Sequence, residues 1–169
     1  MLGVYENFPE NIHKTVDFTI STTNKKLQQT LIQLIKETNS KAFNLEEITV
    51  PTIPKCSTIL EFGIAEANNF NYLDEEERNK MLAIIQKKPF QTMDFYCALK
   101  YYKIQDDKKT PLRFDYYMTR FIFDKDLMRM QIFHEKGPRY VSPEDIISFF
   151  INGIIRMFSK KILEKAKSR

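Results

Sequence analysis

The chain has 169 residues, 43% hydrophobic and 28% charged, a balance that excludes a disordered segment and fits one globular domain with a real core. A net charge of +4 permits an anionic partner without requiring one. Four glycines leave no Gly-rich phosphate loop, two cysteines are too few for a disulfide framework, and the longest uncharged apolar run, Ile146 to Ile155, falls short of the roughly 20 residues a bilayer span needs.

Taken in chain order, residues 1–12 read as an irregular N-terminus. They contain no basic stretch leading into an apolar one, so no secretory signal and a cytoplasmic location are expected. From Lys14, KTVDFTIST sets Val16, Phe18 and Ile20 against Thr15, Asp17 and Thr19, the alternation of a half-buried strand. TTNKKLQQTLIQLIKETNSK follows, with Thr22 or Thr23 able to cap and Leu27, Leu31, Leu34 and Ile35 at helical spacing. Pro51 and Pro54 in ITVPTIPK imply an edge or bend. CSTILEFGIAEA is the second strand, with Leu60, Phe62 and Ile64 facing the core. Asp74 opens a second helix, Glu77 completes a capping-box-like start, and Met81, Ile84 and Ile85 form the apolar stripe.

A three-strand meander comes next. FQTMDFYCALKYYKI and LRFDYYMTRFIF flank a turn, QDDKKTP, and LMRMQIFH follows the tight DKD. Ser142, Pro143 and two carboxylates then start a helix assigned to residues 142–166, apolar nearly all round in its first ten residues. The order β-α-β-α-β-β-β-α predicts a single-domain α+β fold: a mostly antiparallel sheet with a long, buried C-terminal helix. So apolar a helix demands cover, from the sheet or from a second copy of the chain.

Few residues offer chemistry. Both cysteines, Cys56 and Cys97, sit in strand-like runs and read as buried thiols. Of the two histidines, His134 lies beside Glu135, but adjacent strand residues point to opposite faces and cannot grip one ion together. No catalytic residue, metal set or cofactor motif is assigned. Glu61, Asp94 and Asp115 would share a face, as paired acids in a dry cleft, as partners of Arg113, Arg120 or Arg129, or as solvated charges.

The tyrosines split by strand alternation. Met93, Phe95, Cys97, Leu99 and Tyr101 form one face of the third strand, and Leu112, Phe114, Tyr116 and Met118 its apolar continuation on the fourth. The opposite, mixed face gathers Tyr96, Lys100, Tyr102, Arg113, Asp115, Tyr117, Arg129 and Gln131. A basic patch is expected from Arg156, Lys160, Lys161 and Lys165, supplemented by Lys167 and Arg169.

These features point first to a non-enzymatic binding or assembly protein. It would act through the aromatic sheet face and the apolar last helix, with a protein partner or itself as a homo-oligomer and without a membrane role. A mixed face of Tyr, Lys, Arg and Gln also suits single-stranded nucleic acid, which stacks on aromatics and pairs its phosphates with cations. The third reading is an enzyme or small-molecule carrier with its pocket between the sheet and the last helix.

Overall fold

A computed structural model describes residues 3–166. Its strands are β1 (Gly3–Val4), β2 (Lys14–Ile20), β3 (Ala42–Asn44), β4 (Cys56–Glu66), β5 (Asn69–Tyr72), β6 (Thr92–Gln105), β7 (Lys108–Pro111), β8 (Asp115–Asp124), β9 (Leu127–Lys136) and β10 (Leu163–Lys165). The helices are α1 (Asn24–Thr38), α2 (Glu75–Lys87) and α3 (Pro143–Phe158). All ten strands belong to one antiparallel sheet ordered β1-β5-β4-β6-β8-β9-β2-β10, with β3 paired to the start of β4 and β7 to the end of β6. The fold is α+β, and the long strands and three helices fall in the expected order; β1, β3, β5, β7 and β10 are short additions along the rims.

Local chemistry places the helix starts. Thr23 accepts the Lys26 N–H at 3.2 Å, Asp74 that of Glu77 at 2.8 Å, and Ser142 that of Asp145 at 3.1 Å. The C-terminal helix stops earlier than residue 166. Ser159 turns left-handed at φ 56, and Ile162 and Leu163, both buried, then lead into β10, which pairs with β2. The apolar residues beyond the break bury against the sheet edge, and an uninterrupted helix would have carried them away from it.

One face of the sheet, the inner one, carries the core. Leu27, Leu31 and Ile35 of α1 and Ile146, Phe150 and Ile154 of α3 pack over it, with Phe150 edge-on to Phe62 at 5.7 Å and to Phe121 at 5.4 Å. Gly153 lets α3 approach α1, since a Cβ there would lie 2.8 Å from the Leu34 methyls. Helix α2 lies along α1 and buries Met81 and Ile85, but leaves Ile84 38% exposed.

The register around the QDDKKTP turn decides which tyrosines face inward. Asp106 and Asp107 both adopt positive φ, closing a tight hairpin in which Gln105 faces Lys108 and Tyr102 faces Pro111. Carried on, that register would set Cys97 against Tyr116. The chain instead leaves the sheet at Leu112–Phe114 and returns one residue out of phase, so Cys97 pairs with Tyr117. A one-residue slip reverses every side chain of a strand. Tyr117 is therefore inward and fully buried, and Tyr116 is outward.

Candidate functional site

The outer face of the sheet is where the mixed residues collect, and half of it is covered by the chain itself. Strand β2 pairs with β9, and β1 pairs with β5. The segment Tyr5–His13 must therefore cross β9, β8, β6, β4 and β5, six inter-strand steps or about 29 Å, which nine extended residues can span. It is tied down by side chains. Tyr5 packs on Phe70 at 4.8 Å and donates its hydroxyl to Asp94; Phe8 lies 4.6 Å from the Arg120 guanidinium; His13 stacks on Phe133 at 5.0 Å. Beneath it, Arg120 grips Asp94 through two bonds of 2.8 and 2.9 Å. Burial, then the Asp94 carboxylate, push the Tyr5 hydroxyl up to about 12. Sequence reading assigned this segment no role; Tyr5 and Phe8, two aromatics in a run without strand alternation, were the signal that it lies against a surface.

The other half of the outer face is uncovered. Tyr96 and Tyr116 lie 5.9 Å apart, continuing a row from Phe70, and Tyr102 meets Phe114 at 5.8 Å. All four of the last-named rings are half-buried. Lys100 stands among them and bonds Glu61 at 2.9 Å, which raises its pKa. A bulge at the Tyr116–Tyr117 step swings Lys136 outward, placing its ammonium 4.6 Å from the Tyr116 ring. Burial, and then Glu135, push the Tyr96 hydroxyl upward.

The sequence-assigned site is thus partly assembled. Tyr96, Lys100 and Tyr102 share the uncovered half-face. Gln131 pairs with Arg120 in the half that the N-terminal segment crosses, and Arg129 pairs with Ile122 beyond it, held by Asp17 at 2.7 Å, so neither joins them; Arg113 is exposed in the Leu112–Phe114 loop. Asp115 and Tyr117 do not belong there, because the register shift turns both into the core. Of the three acids, Glu61 is paired with Lys100 and Asp94 with Arg120, while Asp115 is on the opposite side of the sheet. Arg156, Lys160 and Lys161 are exposed around the end of α3, but Lys165 sits on β10 opposite Phe18, so the four are not one helix face. Lys167 and Arg169 lie outside the described residues.

Asp115 organises a site that sequence reading missed. Its carboxylate is fully buried and accepts from Tyr101 Oη at 2.6 Å, the Arg139 N–H at 2.6 Å and the Tyr140 N–H at 2.8 Å, and its Oδ1 lies 2.8 Å from His134 Nε2. Tyr117 donates to the Val141 carbonyl. Burial, and then Asp115, push the Tyr101 hydroxyl far up, holding it protonated as a donor. With both carboxylate oxygens engaged and no exposure, this cluster clamps the Gly137–Val141 loop to the sheet. Gly137, at φ +116, could not be another residue: a Cβ would strike the Phe114 carbonyl and Asp115.

Both cysteines are buried and free, and burial pushes each thiol upward. Among the described residues, no three His, Cys, Asp or Glu side chains converge as metal ligands, and no helix is long and apolar enough to cross a membrane. No family model matches the chain, and no significant match is found among curated proteins or solved structures.

Proposed function

We propose that this protein is a non-enzymatic binding and assembly module acting through the uncovered half of its outer sheet face. The observation that carries this is the pair of ring contacts Tyr96–Tyr116 and Tyr102–Phe114, half-buried, three of the four rings on strands and Phe114 on the adjoining loop, with Lys100 and Lys136 beside them. Aromatic rings on a rigid platform contribute large contact area at little entropic cost. Glu61 and Glu135 share the surface with the two lysines, so its charge is balanced. Balance disfavours a phosphate backbone and favours a protein; alternating signs are also what a twofold, self-complementary contact uses. A second copy of the chain is therefore the favoured partner. Helix α3 contributes less than its composition implies, because its apolar face is buried in the core. Two buried thiols without a disulfide support a cytoplasmic setting.

Light scattering over a dilution series tests the proposal. The expected result is a concentration-dependent doubling of mass, abolished by Tyr116→Glu. A chain that stays monomeric throughout would overturn self-assembly, and single-stranded RNA binding that weakens with salt and with Lys100→Ala would move the reading to nucleic acid.

A further inference from the structure

The β2–β9 ladder ends at the Lys14–Ile132 pair, and beyond it the His134 N–H is met by a side chain instead of backbone. His13 Nδ1 accepts it at 2.9 Å, while the His13 N–H donates to the Ile132 carbonyl at 2.9 Å. A backbone N–H can only donate, so the His13 ring is neutral with its proton on Nε2. A second proton sets donor against donor. Turning the ring over does not help, because it then presents a C–H.

The surroundings oppose that second proton. Burial, then the Arg139 guanidinium of the Gly137–Val141 loop and the His134 ring of β9, hold His13 below its ordinary value of 6.5. The His134 ring is itself bonded to Asp115, and Lys14, next along the chain, pairs with Glu144 of α3 at 3.7 Å. Among the described residues, no carboxylate acts on His13 to offset the cations. The ring does lie flat on Phe133, at 5.0 Å and 16°, and a phenyl face attracts an imidazolium. At an exposed site that attraction is worth about two- to fivefold, against about tenfold for the lost bond and its stranded donor. The His13–His134 bond is therefore intact above 6.5 and is lost as pH falls below it.

What the ring covers connects it to the outer face. Phe133 lies half-buried beneath it and pairs with Met118, which pairs with Tyr96. The three side chains are neighbours across three strands, so Phe133 borders the uncovered half. We propose that His13 is a proton-operated latch: protonation lifts its ring from Phe133 and adds that phenyl to the surface through which the protein assembles. The latch stands on the His13–His134 geometry; its effect on assembly rests on the sheet-face reading of function.

Amide exchange on the full chain tests the latch, and light scattering tests its consequence. Between about pH 7.5 and about pH 5 the protection factor of the His134 N–H should fall about tenfold. In His13→Asn, whose Oδ1 takes the place of Nδ1 and does not titrate, it should stay constant; in His13→Ala it should be low at both. A parent without the fall, or an Asn variant that shares it, overturns the latch. Dimer dissociation should tighten several-fold over the same pH range, and Phe133→Ala should remove that gain. An open latch without tightening overturns the coupling. No dimer at either pH overturns the sheet-face reading and the coupling with it, while the protection factors still decide the latch.

Discussion

His134 Nε2 lies 2.8 Å from Oδ1 of Asp115, and the carboxylate it meets has no solvent exposure at all. Two residues brought together by neighbouring strands thereby fix a loop that belongs to neither. Tyr101, Asp115, His134 and the N–H groups of Arg139 and Tyr140 form one network, and through it the chain leaving β9 is held in place before α3 begins. A buried charge is tolerated only when donors satisfy it, and here they do.

Asp115→Ala should lower unfolding stability by about 3–5 kcal/mol, because it leaves buried donors without an acceptor. Urea denaturation reads this directly. A loss below about 1 kcal/mol would show that water replaces the carboxylate and that the loop needs no clamp.

The two neighbouring tyrosines should respond differently to loss of a hydroxyl. Tyr117→Phe removes the bond to Val141 inside the core and should cost about 1 kcal/mol. Tyr116→Phe, on the outer face, should change stability by less than about 0.5 kcal/mol. The reverse order would place the register one residue away from that described.

Gly153→Val should destabilise by about 1–3 kcal/mol, since the added Cβ meets Leu34. Adding Leu34→Ala should recover part of that loss, because the two side chains would then share one space. Strictly additive effects in thermal or urea unfolding would contradict the close approach of α1 and α3.

Glu77 is pushed up to about 7, first by burial and then by Glu66, which is itself held down to about 2 by its hydrogen bonds with Glu77 and Lys80. Glu77 thus keeps its proton in the folded chain where the unfolded chain has lost it. The stability this confers is fully present below the ordinary value of 4.5 and is lost as pH rises through about 7. Glu77→Gln stays neutral, so its melting temperature relative to the parent should climb between about pH 5 and about pH 8. Parallel curves for the two proteins would refute the assignment.

Release of the N-terminal crossing segment should be local. Tyr5→Phe combined with Phe8→Ala removes two hydrogen bonds, from the Tyr5 hydroxyl to Asp94 and from Arg120 to that hydroxyl, and one cation–π contact, together enough for about tenfold faster amide exchange at Tyr5, whose N–H bonds the Asn68 carbonyl. Protection in β6 and β8 should not change. A general loss of protection would mean that the segment supports the whole sheet.

What could be read from the sequence follows the range of the interactions involved. Ser142, Asp74 and Thr23 start helices by bonding backbone three residues away, so their roles are visible in a few letters. Leu27, Leu31 and Ile35 disclose a buried stripe for the same reason. Tyr96, Lys100 and Tyr102 share one face of the sheet, as alternation implies, because one uninterrupted strand carries all three. Asp115 and Tyr117 were misplaced because alternation was carried through the Leu112–Phe114 break. Phe121 and Phe123, both buried, share the parity of Tyr117 and were the available correction.

The sequence by itself thus determined the α+β class, the main strands and the helix starts, since propensity, capping and periodicity act over a few residues. Tertiary structure alone decided which face Asp115 and Tyr117 occupy, that the chain beyond Ser159 returns as β10, and that Tyr5–His13 covers half of the outer face. Each of those depends on a pairing between segments far apart in the chain, where a one-residue change of register or a distant strand neighbour reverses the outcome and no local pattern records it.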